Sequence, residues 1–338
     1  MNRTLGYLMG AALVAAVLTG CGKGTIIDGT TVGPTSPPVV PHTVSEYTVP
    51  TASSQPAGIT KGPDNNLWFA EHSGNKIGRL DTTATFQEFP IPTANAGLFA
   101  IVTGPDNDLW FTEQTAGKIG KMTSNGSVLV EYALPTASAS PSNLTVGPDG
   151  NLWFTESSAG QIGRITTAGV VTEFPVPSGS ASAPLGITAG PDGALWFTEL
   201  LASKIGRITT AGVVTEYATP TASASPYSIV TGPDGALWFT ETTLNKIGRI
   251  TTAGTSTDYA GVAGTHTADT LILGADSKLY YTDGAGNSID QFDTAAHTAA
   301  AYAVTTASSG LSSLTLGADF RIYFTEATAN KLGQFQYF

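Results

Sequence analysis

Seven carboxylates recur at a fixed place in this chain of 338 residues: Glu71, Glu113, Glu156, Glu199, Glu241, Asp283 and Glu326. Each stands three residues after the first aromatic of a phrase that varies little from Leu-Trp-Phe-Thr-Glu. Acids gathered in a ring could hold a metal ion or move protons. An acid present in every copy is explained more simply by what every copy needs. It can accept hydrogen bonds from the Asn-Lys-Ile-Gly segment that follows, or pair with a base such as Lys76, Lys204 or Lys246. Surface pairs of that kind contribute about 0–1 kcal/mol each. A position that changes while its neighbours stay constant is freer to carry function. Aligned on the Gly that opens each following turn, that position holds Ala57, Phe99, Ser142, Leu185, Tyr227, Asp269 and Ser312. A ring of mixed aromatic, apolar and acidic side chains suits a small organic molecule or a peptide.

The elements that must position these groups follow from the repeat. The aromatic positions are Trp68, Trp110, Trp153, Trp196, Trp238, Tyr280 and Tyr323, spaced by 42, 43, 43, 42, 42 and 43 residues. A period so steady and so short means one supersecondary unit, copied and stacked because a single copy cannot bury both its faces. The fourth unit shows the plan. An apolar strand from Leu185 to Thr188 leads into Gly190-Pro191-Asp192-Gly193, a turn sequence. Strands then follow at Leu195 to Thr198, Lys204 to Ile208 and Val213 to Tyr217. Four short antiparallel strands per unit predict an all-β, seven-bladed β-propeller over residues 43–338. The last unit stops after three strands, and Ser45-Glu46-Tyr47-Thr48-Val49-Pro50 matches the missing fourth. The N-terminal strand should therefore complete the C-terminal blade and close the ring, which removes an exposed seam. The aromatic positions should pack between blades. On this topology the variable position should ring the channel mouth, close to the seven carboxylates.

Composition narrows the partners. Charged residues are 12% of the chain and the formal charge is −11, with no basic patch to neutralise phosphates, so nucleic acid is not an expected partner. The single cysteine, Cys21, excludes an internal disulfide. Residues 1–20 carry an early Arg3 and an apolar run from Leu5 to Leu18, which reads as a secretory signal. It ends in Leu18-Thr19-Gly20-Cys21, similar to a bacterial lipobox, so Cys21 is the expected site of lipid attachment. Residues 21–42, rich in Gly, Thr and Pro, read as a tether holding the body off a membrane. The expected location is the bacterial cell envelope, outside the cytoplasm, as an anchored monomer.

The run Gly-Pro-Asp-Gly-Ala-Leu-Trp-Phe-Thr-Glu, followed by Asn-Lys-Ile-Gly-Arg-Ile-Thr-Thr-Ala-Gly and Thr-Glu-Tyr, resembles the streptogramin B lyase (virginiamycin B lyase) family over residues 45–338. The resemblance implies a seven-bladed propeller, and for the antibiotic-cleaving members an elimination at a depsipeptide ester using Mg2+ and a histidine base. Such a reaction needs a base for the α proton and a cation for the developing enolate. The family's histidines open the innermost strand of late blades in a Pro-His-Gly-Ile type motif. This chain has Tyr227, Asp269 and Ser312 there. Of its four histidines, His42 falls in the tether, His72 follows the first Glu and His297 is near a turn; His266, three residues before Asp269, comes nearest. No convergent metal set is visible; Asp269 and Asp283 are the pair that could together hold a cation. The leading expectation is a propeller that binds a small molecule, a peptide or an envelope protein, with Phe99, Leu185, Tyr227, His266, Asp269 and Asp283 as candidate ligand contacts. A lyase with a rearranged site, requiring Mg2+, and a structural envelope protein are the alternatives.

Overall fold

In the computed structural model, residues 42–127 and 129–337 are described. They form seven four-stranded antiparallel sheets, the blades of a propeller. Blade four, for example, comprises Pro184–Ala189, Leu195–Glu199, Lys204–Ile208 and Val214–Ala218, each strand paired with the next. Blade six is shortest at its inner edge: Leu271–Leu273, Leu279–Asp283, Ser288–Asp293 and Thr298–Ala303. Blade seven takes Leu311–Leu316, Ile322–Glu326 and Lys331–Gln336 from the end of the chain and Thr43–Thr48 from its beginning. The closure bonds are local and specific. Lys331 pairs with Glu46 at 2.8 Å, and Asn330 Oδ1 accepts the Ser54 N–H at 2.7 Å.

The conserved phrase makes the second strand of each blade, and in blade four all of its residues are buried because neighbouring sheets cover both faces. The Trp196 ring stacks on Tyr217 of the same blade's fourth strand at 5.6 Å between centroids, and Arg207 lies over it at 5.9 Å. Its indole N–H donates to Asp192 in the preceding turn at 3.0 Å, so the turn's Asp orients the blade's largest side chain. Burying a ring of this size contributes about 4–6 kcal/mol. The Phe197 ring lies against Gly206 on the third strand, where a Cβ would collide with it.

The Thr of the phrase joins one blade to the next. Thr112, Thr155, Thr198, Thr240 and Thr325 each donate a hydroxyl to the carbonyl of the variable position in the following blade, at 2.7–2.9 Å. The backbone at that position is thus held by its neighbour whatever side chain it carries. This frees the residue to vary.

Candidate functional site

The seven inner strands enclose a channel cavity of about 330 Å3. Phe99, Tyr227 and Ser312 from the variable position line it, together with the Thr270 and Ser228 neighbours. Leu185 does not reach the cavity; it is buried, as are Ala57 and Ser142. In six blades this residue lies in a β-bulge where the pairing of the first and second strands shifts. Strict alternation fails in a bulge, but Phe99, Tyr227 and Ser312 share this bulge with Leu185, so the bulge does not explain why Leu185 misses the cavity. Burial, and then the charge of Asp269, raises the Tyr227 phenol above its usual pKa.

The expected pairing of the seven acids with the nearby lysines is corrected by the structure. Lys76, Lys118, Lys204 and Lys331 instead meet the acids of the fourth strands, Glu88, Glu131, Glu216 and Glu46, at 2.6–2.8 Å. Those outer acids also take hydrogen bonds from the loop entering the blade, as Glu131 does from the Thr93 N–H and hydroxyl. Burial opposes ionisation of Glu131, but the bonds from Lys118 and Thr93 outweigh it and hold its pKa low. The acids of the phrase are left fully buried. In Glu71, Glu113, Glu156, Glu199, Glu241 and Glu326 neither carboxyl oxygen has a hydrogen-bond partner among the described residues. Burial first, and the neighbouring outer acid second, push Glu113 up to about 7 and Glu156 up to about 8. Blade three has Gln161 where other blades have the lysine, so no cation offsets Glu156 there. Burial thus shifts the six glutamates toward their neutral, protonated form, as suits packing groups.

The seventh acid behaves differently. Asp283 Oδ1 accepts the N–H groups of Thr267 and Gly286, each at 2.8 Å, and the Thr267 hydroxyl at 3.2 Å. Its Oδ2 is in short contact with His266 Nδ1. Asp269 accepts the Thr267 hydroxyl at 3.1 Å and the Gly284 N–H at 3.3 Å, and burial raises its pKa. Three of the candidate residues, His266, Asp269 and Asp283, are thus brought into one cluster where blade six begins. A fourth member went unforeseen. Asp290, on the third strand, stands where every other blade has glycine: Gly78, Gly120, Gly163, Gly206, Gly248 and Gly333. That break in the repeat was visible in the chain. Asp290 is fully buried, and its Oδ2 lies 3.6 Å from His266 Nδ1. Burial, then Asp283, raise its pKa to about 6 against the hydrogen bond from Ser288. Ligand atoms of His266, Asp283 and Asp290 all lie within 4.8 Å of one another.

The other histidines have ordinary neighbours. His72 Nδ1 is 3.0 Å from the Leu98 carbonyl, His297 stacks on Tyr259 and His42 packs at a tilt against Tyr302. Cys21, the signal and all of the tether except His42 lie outside the described residues.

Comparison with known proteins follows the same lines. Residues 39–184 and 178–337 match the profile described as the virginiamycin B lyase family. A streptogramin B lyase structure superposes with a TM-score of 0.84 at 36% identity, covering 89% of this chain and 99% of that one. A catalytically inactive His-to-Ala variant of virginiamycin B lyase from Staphylococcus aureus, solved with quinupristin, superposes with a TM-score of 0.83 at 33% identity, covering 88% of this chain and 99% of that one. The extracellular domain of a hybrid two-component system from B. thetaiotaomicron shares the fold alone, with a TM-score of 0.68 at 15% identity over 86% of this chain and 42% of that one.

Proposed function

This chain belongs to the virginiamycin B lyase family, and we propose that it binds a small organic molecule or a peptide on its channel face. The observation that carries this reading is the cavity of about 330 Å3 walled by Phe99 and Tyr227, two large side chains at the position where the repeat varies. Aromatic walls bury apolar area, and the polar lining residues Ser228, Thr270 and Ser312 offer contacts that can orient a ligand. Quinupristin, present in the structure of the related lyase variant, is the natural first probe. Calorimetric titration of the full chain should show binding. Tyr227→Ala or Phe99→Ala should weaken it about tenfold, the loss of one good aromatic contact, with the thermal midpoint unchanged. Equal affinity in both variants would remove the channel from the reading and favour a structural envelope role.

A lyase reading is second, and the contact between His266 and Asp283 favours it. A carboxylate on one ring nitrogen fixes the tautomer and leaves the other nitrogen free to take a proton, as a general base requires. Against it, Tyr227, Asp269 and Ser312 occupy the places where the family resemblance puts histidines. Ring opening of quinupristin with Mg2+ present, abolished by His266→Ala, would establish this reading. Absence of turnover alongside binding would end it.

We place the protein outside the cytoplasm, anchored through lipid on Cys21, on the strength of the apolar leader and Leu18-Thr19-Gly20-Cys21. Labelled fatty acid should enter the wild type and not Cys21→Ser. Label retained by the variant would disprove the anchor.

A further inference from the structure

Blade six holds a set of groups that the channel reading leaves unused. We propose that His266, Asp283 and Asp290 form a binding site for one divalent transition-metal ion of the Mn2+, Fe2+, Co2+ or Zn2+ class. Three observations carry this. Their ligand atoms already lie within 4.8 Å of one another, as coordination of a single ion demands. Each carboxylate has one oxygen tied and the other turned to the shared centre. Asp283 Oδ1 is held by the Thr267 and Gly286 N–H groups, and Asp290 Oδ1 by the Ser288 hydroxyl at 2.6 Å. Tying one oxygen in this way is how a second layer of hydrogen bonds aims a metal ligand. The third observation is that Asp290 Oδ2 is fully buried without a hydrogen-bond partner among the described residues; the hydroxyl of Tyr281, its cross-strand neighbour, could donate to it but is itself left unpaired, so the acceptor remains available to the centre.

The substitutions that distinguish blade six also remove its internal cation. Ser288 replaces the third-strand lysine of blades such as four and five, and Ala301 replaces the fourth-strand acid that this lysine meets. Two buried carboxylates remain around one imidazole, with no lysine or arginine ion-paired to either among the described residues. A divalent ion balances that charge.

The donor set also separates this site from the Mg2+ that the family resemblance implies. Mg2+ prefers oxygen ligands in near-ideal octahedra and keeps several waters. Asp283 and Asp290 offer oxygens, but the nitrogen of His266 and the dry, fully buried acids suit a borderline metal. Three protein ligands leave coordination positions open, and the partly exposed His266 marks the side from which a water or another ligand could enter.

The test uses the full chain, stripped with EDTA and titrated calorimetrically with MnCl2, ZnCl2 and MgCl2. One Mn2+ or Zn2+ should bind per chain, with Mg2+ at least about tenfold weaker. Asp290→Gly restores the residue of the other six blades, so it should keep the fold yet lose about tenfold or more in Mn2+ affinity. Should it not fold, Asp290→Asn keeps the volume and should show the same loss. Pulsed EPR of bound Mn2+ should show nitrogen modulation that vanishes in His266→Gln. Any of four results overturns the site: no Mn2+ or Zn2+ binding, Mg2+ binding as tight as Mn2+, affinity unchanged in the folded Asp290 variant, or no nitrogen coupling.

Discussion

Blades four and six share one strand plan and carry different chemistry inside it. In blade four the Phe197 ring covers Gly206, Glu199 is buried beside Glu216, and Lys204 closes on Glu216 at 2.6 Å. In blade six the corresponding residues are Tyr281, Asp290, Asp283, Ala301 and Ser288, and the small buried Ser182 of the entry loop becomes His266. The changes are coordinated. The acid moves from the outer strand to the third strand, the lysine disappears, and an imidazole enters. What blade four shares with its neighbours holds a propeller together. What blade six exchanges as a group builds a pocket for charge.

The sharpest way to break this comparison is to place the blade-six acid in an ordinary blade. Gly206→Asp puts a Cβ into the Phe197 ring and buries a carboxylate with no imidazole beside it. It should destabilise by about 3 kcal/mol or more, read from denaturant unfolding. A loss near zero would mean that any blade tolerates the acid and that blade six is not specialised.

A comparable effect tests the proton-holding role of the ordinary acids. Glu156 is raised to about 8, well above the roughly 4.3 of an unfolded glutamate. Between those values the folded chain holds a proton that the unfolded chain has released, so stability falls as pH rises through that window. Glu156→Gln removes one such group and should reduce the fall between pH 5 and pH 8 by about 3 kcal/mol. Wild-type and variant curves that run parallel would show that Glu156 is ionised in the fold.

Smallest should be Lys204→Ser, which gives blade four the residue of blade six at that position. Glu216 keeps the Ser178 N–H at 2.8 Å, and Lys204 is partly exposed, so the loss should be under about 1 kcal/mol. A loss of several kcal/mol would mean that the lysine is essential to an ordinary blade. Its absence from blade six would then need its own compensation.

Much of the fold was legible in the chain because every blade repeats the same local instructions. Turn residues, strand alternation and the stray N-terminal strand at Thr43–Thr48 gave blade number and closure before any contact was known. The site was legible only in part. The variable position pointed to Phe99 and Tyr227 in the channel and to Asp269 in the cluster, but it also pointed to Leu185, which is buried outside the cavity. Asp290 could have been found by asking where the third strand departs from glycine. The lysine pairing could not. Lys76 follows Glu71 by five residues and precedes Glu88 by twelve, so nearness in sequence favours the wrong acid.

The sequence by itself determined the seven blades, their order and the ring closure, because these rest on periodicity and turn chemistry that act over a few residues. Only the tertiary structure decided which acids burial pushes toward the protonated form, which meet a lysine, and that His266, Asp283 and Asp290 converge. Those outcomes depend on burial and on distances across strands and loops, here seventeen residues from His266 to Asp283 and seven more to Asp290. Charge inside a protein is governed by what the folded chain removes from water, and no local stretch of residues specifies that.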